Sequence, residues 1–146
     1  MRLIPAIIPF PYTLLRWAML MLASLNIDCG DATGPRDVPL QFEEIGTTPD
    51  PIPPSAVGGF GTIEVVGSII GGCDPLGAVA ERRDRRITLE VGPAEPRRLC
   101  AALISLPVRY RATLVGLAPG HYRLTVLHTL PHGEAERVFR EEIEVR

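Results

Sequence analysis

Residues 110–126 read YRATLVGLAPGHYRLTV and contain two runs in which apolar and polar side chains alternate. The apolar positions of the two runs are Tyr110, Ala112, Leu114, Tyr122, Leu124 and Val126. Because successive side chains of a strand point to opposite faces, this pattern predicts two strands, each with one buried and one wet face. Between them, Ala118-Pro119-Gly120-His121 fits a type II turn, since proline presets φ at the second position and glycine supplies a positive φ at the third.

The same alternation recurs through the last part of the chain. Further runs cover residues 61–70, 86–91 and 137–146, and glycines and prolines separate them. Residues 100–108 form a more apolar run, which is consistent with a strand in a central position. No amphipathic helical pattern competes after residue 60. Such runs are typical of antiparallel sheets with one solvated face. We therefore predict an all-β fold, an antiparallel β-sandwich of about seven strands, over residues 59–146.

The stretch from Gly116 to Tyr122 has the pattern G-L-x-P-G-x-Y. It resembles the penultimate hairpin of immunoglobulin-like and carboxypeptidase-regulatory-like sandwich domains. The resemblance implies an immunoglobulin-like sandwich in which one strand ends in this pattern and the next strand returns. Such domains act as structural, adhesive or carbohydrate-binding modules, so the resemblance leaves the function open.

Composition excludes several functional classes. The chain has 146 residues, a formal net charge of −2, 14 glycines and 15 prolines. The glycine and proline content disfavours a helical bundle. The charge balance lacks the strongly basic character of a nucleic-acid-binding protein, so we expect no nucleic-acid partner.

The first 29 residues are strongly apolar. Residues 3–27 contain a single charged residue, Arg16, and the apolar stretch after it is shorter than the roughly 20 residues of a membrane-spanning helix. Its length matches the apolar region of a secretory signal peptide. We therefore predict export to the periplasmic side of a bacterial membrane, with residues 1–29 as a hydrophobic leader or membrane anchor. The predicted membrane contacts are Leu14, Leu15, Trp17, Met19, Leu20 and Leu22.

Cys29 begins the stretch CGDATGP. This stretch resembles the start of surface lipoproteins from the Gemmatimonas group of bacteria, which implies an acylated cysteine followed by a flexible tether. The lipobox of that family has leucine at −3 and a small residue at −1, where this chain has Asn26 and Asp28. Two anchors therefore stay open: a lipid on Cys29, or a retained N-terminal segment lying in or against the membrane.

Residues 30–58 carry a high density of proline. The prolines of this stretch are Pro35, Pro39, Pro49, Pro51, Pro53 and Pro54. Proline-rich segments favour extended polyproline conformations, so we predict a linker between the leader and the sandwich. A second interpretation is that residues 38–45 dock along another protein as an extended strap.

Cys73 and Cys100 both fall within the predicted sandwich. In an exported protein their pairing in a disulfide is the default prediction, and the alternative is two separate buried thiols. The sequence has no C-x-x-C motif and only three histidines. His128 and His132 flank Pro131 at a predicted strand end and turn, so we predict no metal site.

The densest charge cluster is ERRDRR at residues 81–86. Its arginines are Arg82, Arg83, Arg85 and Arg86. One interpretation is a solvated loop. The other is an interaction patch for lipid headgroups or an acidic partner, because guanidinium groups recognise phosphates and carboxylates.

Motifs of catalysis are missing from the sequence. No serine lies in a G-x-S-x-G elbow, and the glycine-rich residues 58–61 lack the G-K-[ST] ending of a phosphate-binding loop. We therefore expect no enzymatic activity, no catalytic residues and no cofactor.

A small sandwich, a tether and an apolar leader together predict a function. We expect a non-catalytic, exported, membrane-anchored subunit that docks on and stabilises a larger membrane-protein assembly. The resemblance to the Gemmatimonas group implies a narrower form, an extrinsic subunit of a photosynthetic reaction centre–light-harvesting complex. The alternative is a surface lipoprotein module that binds carbohydrate or another extracellular ligand.

Overall fold

The computed structural model describes residues 34–70, 74–94, 106–130 and 133–146, which fall within one compact unit, residues 33–146. These residues form nine strands and no helix. The strands are β1 (Arg36–Asp37), β2 (Leu40–Thr47), β3 (Ser55–Gly58), β4 (Thr62–Ile70), β5 (Leu76–Arg83), β6 (Arg86–Pro93), β7 (Pro107–Val115), β8 (Gly120–Thr129) and β9 (Ala135–Val145). The predicted all-β class is confirmed.

Two sheets face each other. The five-stranded sheet has the order β1-β5-β6-β8-β9 and the four-stranded sheet has the order β2-β7-β4-β3. Their apolar inner faces meet in one core, as the sequence alternation predicts. The core residues without any solvent exposure are Ile63, Val65, Leu89, Val91, Tyr110, Ala112, Leu114, Leu124 and Val126. The predicted β-sandwich is therefore confirmed.

The connection between β7 and β8 crosses from one sheet to the other. Residues 110–126 are therefore not a hairpin, which corrects the expectation from the sequence. Gly120 has a φ of 130°, the positive value predicted for the turn glycine. The Tyr122 hydroxyl donates a hydrogen bond to the carbonyl oxygen of Ala118 at 2.9 Å. This contact is of the kind called a tyrosine corner in immunoglobulin-type sandwiches, and it fixes the start of β8.

One strand pair is parallel. The chain leaves the five-stranded sheet after β6, forms β7 in the opposite sheet, and returns as β8 beside β6. As a result β6 and β8 run in the same direction, with Arg86 opposite Arg123 and Val91 opposite His128. The other pairs of described strands are antiparallel, as predicted.

The predicted linker over residues 30–58 requires correction. Strands β1, β2 and β3 lie within this range, so the sandwich begins well before residue 59. The interpretation of residues 38–45 as a strap along another protein is also wrong, because most of them form β2, which pairs with β7 in the same domain. The prolines of the described part of this range lie outside the strands, where the missing amide hydrogen costs no ladder bond.

Contacts within the chain join the two sheets at both lateral edges of the sandwich. On one side the Val38 amide donates to the Ala80 carbonyl oxygen at 2.9 Å, and the Leu76 amide donates to the Glu44 carboxylate at 2.6 Å. On the other side β9 crosses β3 at Gly58, where a Cβ would lie 1.8 Å from the Glu144 carbonyl oxygen.

The close approach at Gly58 generates a testable prediction. Replacement Gly58→Ala places a methyl group against the β9 backbone, which cannot move without losing hydrogen bonds. We expect the free energy of unfolding to fall by about 2–3 kcal/mol, the range typical of overpacking. Ser55→Ala, at an exposed position of the same strand, is the control and leaves stability nearly unchanged. Equal urea midpoints for the two variants would contradict this account of the edge.

Candidate docking surface

Three arginines stand side by side on the outer face of the five-stranded sheet. Arg83 of β5 lies opposite Arg86 of β6, which in turn lies opposite Arg123 of β8. We call these residues the arginine row. All three are exposed, while the next residues along β6 and β8, Ile87 and Leu124, are buried in the core. Like charges directly opposite each other in a sheet are destabilising, so the row carries an electrostatic cost.

Carboxylates nearby offset part of this cost, since Glu81 borders the same cavity as Arg83 and Arg86 and Glu142 lies opposite Arg123. Arg123 contacts the Glu142 carboxylate at 3.2 Å, and both side chains are largely exposed. An exposed ion pair contributes little to stability. Within the described part of the chain, no carboxylate lies within 4 Å of Arg83 or Arg86. The row therefore has unused capacity to bind carboxylates or phosphates.

The structure divides the arginine patch predicted from the sequence. Arg83 and Arg86 belong to the row. Arg85 folds back instead: it donates to the Pro119 carbonyl oxygen at 3.1 Å and lies 5.3 Å from the centre of the Tyr122 ring. These contacts give Arg85 a structural role at the connection between β7 and β8.

The remaining predicted arginine, Arg82, borders the same cavity as Arg83 and Arg86. Arg82 is half-buried and lies opposite Arg36 of β1, at the border of the sheet.

Arg123 completes the row, and sequence reasoning missed it as a site residue. Its outward orientation was readable from the alternation in β8, but its parallel pairing with Arg86 was not.

A second polar feature is buried between the sheets. The Tyr110 hydroxyl and His128 Nε2 are 2.9 Å apart, and both residues are almost fully buried. Burial lowers the pKa of His128 to about 4 and raises the pKa of Tyr110. His128 is therefore neutral at neutral pH. The hydrogen bond satisfies two polar groups that would otherwise be costly inside the core.

His128 also borders a groove of about 450 Å³ at one end of the sandwich. The groove is mainly apolar, and Ile52, Ser68 and Ile70 line it. The Ser68 hydroxyl is bound to the backbone of Ile52, and no hydrogen bond joins Ser68 to His128. The groove therefore contains no paired nucleophile and base.

No cluster of three or more histidine, cysteine, aspartate or glutamate side chains that could hold a metal ion occurs among residues 34–70, 74–94, 106–130 and 133–146. In these ranges no helix has the length and apolarity needed to cross a bilayer.

Several predicted site residues lie outside the described residues. They are the proposed disulfide partners Cys73 and Cys100, the proposed lipidation site Cys29, His132, and the proposed membrane contacts Leu14, Leu15, Trp17, Met19, Leu20 and Leu22. The roles assigned to them stay predictions from the sequence.

The cost of the arginine row is measurable as stability. Replacement Arg86→Gln removes the central charge, and we expect the free energy of unfolding to rise by a few tenths to about 1 kcal/mol. The gain shrinks at high salt, because salt screens exposed charges. The control is Arg140→Gln, since Arg140 lies opposite Thr125 rather than another arginine. Unfolding in urea at low and high salt tests this, and a stability loss specific to Arg86→Gln would contradict it.

The buried histidine makes stability depend on pH. In an unfolded chain histidine has a pKa near 6.5, so between about pH 6.5 and 4 the unfolded state binds a proton that the folded state does not. The contribution of neutral His128 to the free energy of unfolding is complete above pH 6.5. It declines toward pH 4, by roughly 2–3 kcal/mol in all. The His128→Gln variant lacks the titrating group, so its free energy of unfolding should fall less over this pH range. Urea unfolding of the wild type and the variant at pH 7 and pH 4.5 measures how much stability each protein loses. Identical losses in the two proteins would refute this role of His128.

Comparisons with known proteins return no relatives. No family model matches the chain, and neither a curated protein nor a solved structure matches it.

Proposed function

We propose that this protein is a non-catalytic, membrane-anchored subunit that docks on and stabilises a larger membrane-protein assembly on the periplasmic side of a bacterial membrane. The N-terminal leader holds it there, either through a lipid on Cys29 or through the apolar residues that precede it. The sandwich supplies the docking surface. The observation that carries the proposal is the arginine row.

The row fits an acidic protein surface. Arg83, Arg86 and Arg123 project from three neighbouring strands, so the sheet fixes their spacing. Guanidinium groups bind carboxylates through two parallel hydrogen bonds, which gives orientation as well as attraction. Complementary charge also accelerates encounter and selects among partners. A docking role gives a physical reason for keeping three like charges together at a cost in stability.

The revised domain boundary supports a position close to the membrane. Because β1 begins at Arg36, the tether after Cys29 consists of residues 30–35 rather than 30–58. Six extended residues span about 20 Å at most. A domain on so short a tether stays near the bilayer, where it can reach only the periplasmic parts of membrane proteins beside it.

The narrower form of the proposal concerns the partner. The similarity of residues 29–35 to lipoproteins of the Gemmatimonas group favours a photosynthetic reaction centre–light-harvesting complex as the assembly. The choice of this assembly as the partner depends on the sequence resemblance, whereas docking itself is proposed from the arginine row.

The carbohydrate-binding alternative has less support. Sugars stack on exposed aromatic rings, and the outward-facing strand positions of the described residues hold no aromatic side chain. Tyr110 and Tyr122 are buried, and Phe42 and Phe139 pack against the core. Phe60 is exposed, but it lies in a connection between strands and not on a sheet face.

The docking proposal predicts the effect of charge reversal. In the full chain, the double replacement Arg83→Glu and Arg86→Glu puts negative charge where an acidic partner binds. We expect the fraction that co-migrates with a large complex in blue-native gels of solubilised membranes to fall about tenfold or more, equivalent to ~1.4 kcal/mol.

The control replaces an arginine away from the row. Arg137→Glu reverses an exposed charge on β9, near the groove end of the sandwich, and should leave co-migration intact. Migration of the unmodified protein as a free species of its own mass would refute the proposed function. Equal losses in both variants would refute the role of the arginine row.

A further inference from the structure

Phe60 is the most exposed large apolar side chain among the described residues, at 83%. It lies at the centre of the sequence Gly59-Phe60-Gly61 in the connection between β3 and β4. Single exposed aliphatic residues are common on protein surfaces, but a fully displayed aromatic ring leaves a large apolar area in water. Aromatic residues displayed in this way are typical anchors at interfaces.

The backbone around Phe60 is held firmly. The Gly59 amide donates to the Thr62 carbonyl oxygen at 2.9 Å, and the Gly61 amide donates to the Arg146 carbonyl oxygen at 2.9 Å. In return the Arg146 amide donates to the Gly59 carbonyl oxygen at 2.9 Å. Gly61 has a φ of 65°, a conformation that glycine adopts without strain. The ring is thus presented by an ordered turn, so little conformational freedom is lost when it binds.

A positive charge accompanies the ring. The Arg146 guanidinium lies 5.8 Å from the centre of the Phe60 ring. Val57, at the end of β3, adds a second apolar side chain that is 69% exposed. An aromatic ring beside an arginine suits the interfacial region of a bilayer, where the ring enters the headgroup layer and the guanidinium reaches phosphate groups.

The chain enters the domain at the same end of the sandwich. Strand β1 pairs with the last residues of β5, just before the turn at Arg85. Arg85 binds the connection at Pro119, and the Leu117 amide in that connection donates to the Gly61 carbonyl oxygen at 3.0 Å. These contacts join the first strand, the connection between β7 and β8, and the Phe60 turn into one end. A leader anchored in the membrane therefore tethers the domain by the end that displays Phe60.

We propose that the Phe60 turn is a bilayer contact, in which Phe60 enters the headgroup region of the membrane and Arg146 binds lipid phosphates. The proposal rests on the membrane anchorage in the proposed function and adds an orientation to it: the Phe60 end faces the lipid. The arginine row then lies on the outer sheet face beside this end, available to a neighbouring protein. The short tether, the rigid aromatic turn and the adjacent guanidinium favour lipid over a protein pocket as the occupant.

Tryptophan fluorescence in the full chain tests this orientation. The only tryptophan, Trp17, is replaced by Phe, and a single new tryptophan is introduced as Phe60→Trp. The protein is reconstituted into vesicles of phosphatidylcholine and phosphatidylglycerol that contain lipid brominated near the headgroup end of its acyl chains. We expect a blue-shifted emission and a loss of about half of the intensity or more, because the indole lies at the interface.

The matched control is Val79→Trp in the same Trp17→Phe background. Val79 is exposed, at 62%, on the outer face of β5 several residues before the turn. Its tryptophan should show little quenching. Far-UV circular dichroism and thermal midpoints equal to the wild type establish that both variants fold.

Each remaining outcome is decisive. If the protein floats with the vesicles but the Phe60→Trp variant is quenched no more than the Val79→Trp variant, the bilayer contact is refuted while anchorage stands. If the indole of the Phe60→Trp variant becomes shielded only in native membranes that hold the assembly, the occupant is a protein and the proposal is likewise refuted. If the wild-type chain does not float with vesicles at all, anchorage itself fails, and with it the proposed function.

Discussion

Apolar side chains from the two sheets meet in one core, where Val65 and Leu114 of one sheet and Leu89 and Leu124 of the other have no solvent exposure. Every other architectural feature depends on this contact. Because side chains alternate along a strand, burying one set of positions fixes which residues face outward. A shift by one residue would bury arginines and expose leucines. The same packing that stabilises the fold therefore holds the arginine row on the surface.

The crossing between the sheets determines what the row contains. Since β7 belongs to the opposite sheet, β8 returns beside β6 in parallel and brings Arg123 next to Arg86. The crossing is held by the Tyr122 hydroxyl and by Arg85, which lies so close that a Cβ on Gly120 would meet its guanidinium. The connection that shapes the fold thus also organises the end at which the chain enters.

Local structure was more predictable from the sequence than long-range structure was. The candidate site was predictable only in part. Strands β4, β6 and β8 were readable because Ile63, Leu89 and Leu124 recur with the period of a strand. Strand β2 was missed because its alternation is short and the surrounding prolines suggested a linker, although those prolines lie in the connections. Arg83 was found from charge density along the chain, but Arg123 joins it through pairing between distant residues. Periodicity gives the direction of a side chain, while neighbours across a sheet depend on topology.

We infer that the domain contacts the bilayer with the end at which the chain enters, while the arginine row beside that end contacts the assembly. Amide hydrogen exchange of the full chain decides whether it does, by comparing the protein in native membranes with the protein released in detergent. We expect slower exchange in membranes at residues 59–61 and 83–86, with no change beside the groove at residues 51–54 and 68–70. Equal exchange in both states, or slowing confined to the groove, would contradict this orientation.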